Sequence, residues 1–506
     1  VSEAPGEVTV REATGFEARL RDFEYVLTEE GRALWAGDKE VSEFGAIMER
    51  YADLFSREQL QSLRTAEDGA AEPEARERLY RLRKACEGGV ISAQLASRGD
   101  ALANQELAAE VEFRRQIMPL RDAQARVALV DAYDEREELA RATSAVNVSF
   151  NDQRLELMRA AEELTSVLTG QRDPLARTEA EKGISLGDLA SAVSAAADAT
   201  RGRYDGLWSR WLDVLLGKDR ADHPEQYHSG YMARLAPLER VFTKEGAIGI
   251  CLSTLRELGF DLDRSTIHTD LEDRPQKSVR ATVFAADPPA VVHLITRPQG
   301  GLQDYQLLLH EAGHAFHFAC TDPALPYAFR AIMRDQALPE LYAFVIESIV
   351  REEAWHARYF DVTTQEASEH AEAACFLDSF LFRSLAANLE FELEFWSRFP
   401  SDGGTPEGYA DRLSAATGLV YRPERFLVDM DDGFYVADYL RAWIRSAQLR
   451  SVFRERSGDD WWRSPETGDF LRELFREGLR PSSEDIAIRL GFDPLDTGPL
   501  VAELNA

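Results

Sequence analysis

Apolar residues recur three and four positions apart through most of the first 205 residues, with charged residues between them. Such a period gathers the apolar side chains on one stripe of a helix, because each residue turns the helix by about 100°. The stretches "FGAIMERYADLF", "ARERLYRLRKACEGGVISAQLA", "NQELAAEVEFRRQI" and "DQRLELMRAAEELTSVLTG" all carry it and predict helices. Gly and Pro gather at breaks such as "EDGAAEPEA" and "TGQRDPLA". Near residue 280 the period changes. "VRATVFAADPPAVVHLITRPQGG" (279–301) is rich in Val, Ile and Thr about a "DPP" turn and predicts two short strands. Helical spacing then returns and runs to the end, broken at 399–408 and 456–469. The expected fold class is mainly α, with a small β-sheet beside the helix that starts near residue 302. The change of character divides the chain into a helical N-terminal lobe, 1–205, and a second lobe, 206–506.

That helix carries "LLLHEAGHAFHF" (307–318), which sets His310, Glu311, His314 and His317 in an apolar run. Positions four apart lie about 40° from each other on a helix, so His310 and His314 point the same way. Two imidazoles so placed can hold one zinc ion, with Glu311 beside the open coordination position to take a proton from water. Two buried imidazoles without partners would be costly, which favours a ligand role over a packing one. Ala312 and Gly313 are small enough to let another backbone approach. A third ligand is expected nearby. In "LPELYAFVIESIV" (338–350), Glu340 and Glu347 are seven apart, about 20° from each other on an otherwise apolar stripe. A metal for one and a hydrogen bond to a ligand imidazole for the other would satisfy both.

Composition narrows the setting. The formal charge is −31 over 506 residues, and almost all the basic residues are Arg. No basic stretch interleaves with aromatics, which argues against nucleic acid as a partner. No run approaches the roughly 18 apolar residues of a membrane helix. Cys86, Cys251, Cys320 and Cys375 form no CxxC pair, and the expectation is four free thiols in a reducing, cytoplasmic setting.

"HEAGHAFH", followed about thirty residues later by "ELYAFVIE", resembles the thimet oligopeptidase and oligoendopeptidase F family of zinc metallopeptidases. The resemblance implies one zinc ion held by His310, His314 and Glu340, with Glu311 as catalytic base. It gives Glu347 and His317 supporting roles beside the ligands. It also implies two helical lobes about a deep channel that admits short peptides, and a substrate strand just before the motif helix. "GFYVADYLRAW" (433–443) is similar to the family's late tyrosine segment, so a hydroxyl of Tyr435 or Tyr439 would donate to the developing oxyanion. The chain departs from the family at "FLVDMDDGFYV", where a histidine is usual and Asp429 or Met430 stands instead. Asp429 is then a candidate for holding a substrate amine. His293 on the predicted strand and Arg297 after it are candidates for contact with the peptide, Arg297 with its carboxylate.

The reading is a zinc-dependent oligopeptidase, an endopeptidase hydrolysing short peptides. Two alternatives stand beside it: a zinc carboxypeptidase of similar helical build, and a peptide-binding pseudo-enzyme that keeps the metal. A cationic pocket for the peptide's C-terminal carboxylate would mark the first. The intact Glu311 speaks against the second.

Overall fold

The computed structural model describes residues 5–218, 220–274, 276–402, 404–430 and 432–506. Among the described residues the chain is 69% helical with two small sheets, a mainly α fold. Its longest helices are Pro5–Trp35, Pro73–Ala108 and Thr364–Arg398. The last opens on a capping box in which Thr363 and Glu366 satisfy each other's backbone N–H groups. Among the described residues, no helix is long and apolar enough to cross a membrane. The four cysteines are free.

The largest apolar core runs from Leu186 to Leu504 and surrounds the motif helix, Leu302–Ala319. A second core joins Ala13, Leu20, Leu60 and Leu82 in the N-terminal helices, and reaches Ala328 of the other half. One stretch expected to be helical is not. The helix ends at Ala108, and Glu110–Phe113 (β1) and Gln116–Pro119 (β2) form an antiparallel hairpin. "EVEF" alternates in burial as a strand does, and its turn is Arg114–Arg115, both at positive φ. Such a turn normally declares itself by Asn-Gly or Asp-Gly, and neither is present.

The second sheet holds Ile267–Asp270 (β3), Thr282–Asp287 (β4) and Val291–Ile295 (β5), in the order β3-β5-β4. β4 and β5 are the expected pair, antiparallel about the Pro288–Pro289 turn. β5 also pairs in parallel with β3, so it is the central strand. This corrects the expectation that the strand before the motif helix pairs with substrate, since both sides of its backbone are already bonded. The free edge on the cavity side belongs to β4.

"PQGG" then turns the chain from β5 into the motif helix. Gly300 and Gly301 have φ of 93° and 95°, and a Cβ on Gly301 would lie 2.2 Å from the Arg234 carbonyl oxygen. Only glycine fits there without displacing backbone. Asp304 accepts from the N–H groups of Gln299 and Gly300 and fixes the bend.

Two histidines far from the motif are buried and neutral. His228 accepts at Nδ1 from Arg136 (2.9 Å), and burial, helped by that arginine, pushes its pKa down to about 3. His356 donates to the Val350 carbonyl (2.8 Å), and burial pushes it down to about 3 as well. The unfolded chain takes up protons at these positions below the ordinary histidine pKa of about 6.5, whereas the folded chain does not until near its own value. Stability is therefore full above that pH and falls as pH drops toward the folded value. At pH 5 each histidine is expected to cost about 2 kcal/mol. Urea unfolding at pH 7 and pH 5 checks this, and His356→Gln should shrink the difference by about that amount.

Candidate metal centre and active-site cavity

His310 and His314 leave the motif helix one turn apart, and their Nε2 atoms face each other at 3.1 Å. The next helix, Ala337–Glu347, crosses the motif helix at Gly313. A Cβ on Gly313 would lie 2.7 Å from the Cα of Ala343, so this glycine sets how closely the two backbones approach. That approach brings Glu340 to the histidines, with Oε2 3.3 Å from His310 Nε2 and Oε1 3.5 Å from His314 Nε2. One donor atom from each of the three residues fits within 4.8 Å of the others. Gly313→Ala is expected to force the helices apart, costing about 1–3 kcal/mol and weakening metal binding with it. Thermal unfolding and a metal titration of the variant check both effects.

Glu347, at the other end of the same helix, accepts from His310 Nδ1 at 2.6 Å. That bond keeps a proton on Nδ1 and directs Nε2 at Glu340 and His314. The two glutamates therefore have different tasks, which the spacing alone left open. Burial disfavours charge on His310, but Glu340 and Glu347 outweigh it and hold its pKa well above the ordinary value. Glu340 is itself buried, yet His314 and His310 hold its carboxyl well below the usual range. Glu340 Oε2 is buried without a hydrogen-bond partner, an orphaned anionic oxygen facing His310 Nε2. The donor set fits a divalent metal such as zinc.

Glu311 lines the same cavity, and burial pushes its pKa above the ordinary value. Tyr435 donates to Glu340 Oε1 at 2.5 Å, and the Tyr439 ring packs against it edge-on at 4.6 Å. Both tyrosines line the cavity. The helix that carries them, Tyr435–Ser457, is entered through two left-handed residues, Gly433 and the buried Phe434, with φ of 64° and 57°. A non-glycine residue there costs about 1–2 kcal/mol, and strain of this kind collects where a side chain must be aimed.

Four expected site residues lie elsewhere. His317 donates from Nε2 to the Gly478 carbonyl (3.1 Å) and packs on Tyr342, and burial pushes it down to about 4. It supports a core contact rather than the ligands. His293 bonds to Glu29 (2.6 Å) and ties the first helix to the sheet. Arg297 donates to Asp273 (2.7 Å) and to the Lys277 carbonyl (3.0 Å). Asp429 accepts from the Tyr409 hydroxyl and from Arg425. None of the four lines the cavity.

The cavity, of about 760 Å³, has walls that sequence reasoning did not assign. Trp35 and Leu129 come from the N-terminal half, Arg280 to Val283 from the start of β4 and the residues just before it, and Met333 and Leu381 from later segments. Arg280, two residues before β4, had no spacing partner. The proximity of Trp35 and Leu129 has no local signal at all.

Helices surround a small sheet, and a two-histidine, one-glutamate cluster lines the cavity. Solved structures with this fold include the M32 carboxypeptidase from Deinococcus radiodurans R1, at 14% identity and TM-score 0.59, covering 98% of both chains. Pyrococcus furiosus carboxypeptidase gives 14% and 0.63, over 98% of this chain and 99% of that one. A putative oligoendopeptidase F from Bacillus anthracis gives 14% and 0.59, over 97% and 83%. No family model and no curated protein sequence matches the chain.

Proposed function

We propose that this protein is a zinc-dependent peptidase that hydrolyses short peptides, with an action like that of the oligoendopeptidase F group. The observation that carries the reading is the convergence of His310, His314 and Glu340, with Glu311 and Tyr435, on one cavity. The likeness in fold to both carboxypeptidases and an oligoendopeptidase supports peptidase chemistry. A zinc ion on His310, His314 and Glu340 would supply Lewis acidity toward a water and the scissile carbonyl. Glu311 takes the proton of the attacking water and returns it to the leaving amine, and a raised pKa makes its carboxylate the stronger base. Glu347 holds His310 in the tautomer that presents Nε2. The Tyr435 hydroxyl, already at the ligand carboxylate, would donate to the developing oxyanion. Leu129, Met333 and Leu381 present exposed apolar surface on the cavity walls, which favours apolar residues in the peptide.

A carboxypeptidase reading is favoured by one feature, Arg280. Two arginines line the cavity. Arg234 is occupied by the carbonyls of Gly300 and Ala128 and by Glu239. The Arg280 guanidinium is exposed and pairs with no carboxylate among the described residues, so it is available to a peptide's C-terminal carboxylate. Mass spectrometry of a mixed peptide library, with free-acid and amidated forms of each sequence, separates the readings. Internal cuts indifferent to amidation support the endopeptidase. Loss of cleavage on amidation, by about tenfold or more and abolished in Arg280→Gln, supports the carboxypeptidase.

A further inference from the structure

The bond from Glu347 to His310 is the first rung of a longer buried ladder. Glu347 uses Oε2 for His310 and offers Oε1 to the Gln306 amide at 2.5 Å. Gln306 sits one turn before His310 on the motif helix, and its Nε2 also reaches Asp378 Oδ1 at 3.4 Å. An amide nitrogen carries two N–H groups, so Gln306 can serve two carboxylates at once. Asp378, on the long helix Thr364–Arg398, pairs through its other oxygen with Arg351 at 3.1 Å. Arg351 then pairs with Glu503 at 3.2 Å. Glu503 is gripped by Arg450 at 2.6 Å and Arg454 at 2.8 Å, both from the tyrosine-bearing helix. Asp378 and Arg450 are buried, at 7% and 1% exposure, so solvent does not screen the ladder.

Buried charges are retained where every member is paired, and removing one leaves its partners without a counter-charge. Here each rung fixes the next. Without Asp378, Gln306 loses one of its two acceptors, and Glu347 then has greater freedom to turn from His310. We infer that Gln306 and Asp378 are positioning residues for the metal centre, anchored through Arg351 to Glu503 on the C-terminal helix, Gly498–Asn505. The inference rests on the reading of His310, His314 and Glu340 as metal ligands. It assigns to two side chains outside the ligand set a part in metal affinity.

The test is a double-mutant cycle read by zinc affinity, from chelator competition, beside thermal unfolding of the metal-free proteins. Asp378→Asn and Gln306→Leu are each expected to weaken zinc binding by about 10–100-fold. In a Glu347→Gln background the same substitutions should change affinity by less than about twofold, because the rung they act through is gone. A merely structural role would lower the unfolding temperature equally in both backgrounds and leave affinity unmoved. Unchanged zinc affinity in both single variants, or an equal loss with and without Glu347, overturns the inference. Gln306→Leu alters a half-buried side chain and keeps the test available if Asp378→Asn does not fold. Failure of the parent protein to bind zinc at all defeats the ligand assignment instead, and is read directly in the first titration.

Discussion

Glu311→Gln is expected to keep the fold and the metal and to lose turnover by about a thousandfold, within the range for removing a general base. Glutamine preserves the volume and one carbonyl oxygen but cannot carry a proton from water to the leaving amine. Glu311 is outside the three-residue cluster, so zinc affinity should stay near that of the parent. The measurement is a time course of peptide-library cleavage by mass spectrometry, with both proteins loaded with one equivalent of zinc. Persistence of cuts in the variant at parental rates would sink the assignment of Glu311 as base. A fully loaded parent that cleaves nothing would leave the peptide-binding pseudo-enzyme as the surviving reading.

Glu340→Ala carries the second large effect, and it falls on binding. A structural four-ligand zinc site contributes about 10–16 kcal/mol in all, so one ligand is worth roughly 3–4 kcal/mol. Zinc affinity should fall several hundredfold. Glu347→Gln, which removes only the bond to His310 Nδ1, should cost about 10–100-fold. The order of the two losses separates a ligand from a residue that orients one. Chelator competition measures both. Equal losses, or a larger one at Glu347, would mean that the roles of the two glutamates are exchanged. The Tyr435 hydroxyl donates to Glu340, so Glu340→Ala also releases the tyrosine. Activity lost through Glu340 therefore reports on two groups, whereas affinity reports on one.

Much of the site was legible because it is local. His310 and His314 share a face through helix geometry alone, and Gly313 was readable as the point where a second backbone comes close, as it does at Ala343. The β4–β5 pair was legible from its Val, Ile and Thr content and its "DPP" turn. Other expectations failed where the deciding contact is distant in sequence. The resemblance gives His317 a role beside the ligands, but the Gly478 carbonyl, 161 residues on, claims it. His293 is bonded by Glu29, 264 residues away, and Asp429 is held by Tyr409 and Arg425 rather than left free for a substrate amine. The β1–β2 hairpin escaped because its turn is two arginines in a conformation that usually selects Asn or Gly.

By itself, the sequence determined what period-3.6 and period-2 patterns encode: the helices, the strand pair, and the facing histidines with Glu311 beside them. It narrowed the third ligand to two glutamates on one stripe. Tertiary structure decided which of them meets the two histidines, because that depends on the crossing of two helices at Gly313, a contact between chain segments. It also decided that β5 is central and β4 the open edge, since strand order follows from pairing with β3. The cavity walls are of the same kind. Trp35, Leu129, Arg280 and Leu381 meet only when the helices close around the sheet, and no local propensity records a contact across hundreds of residues.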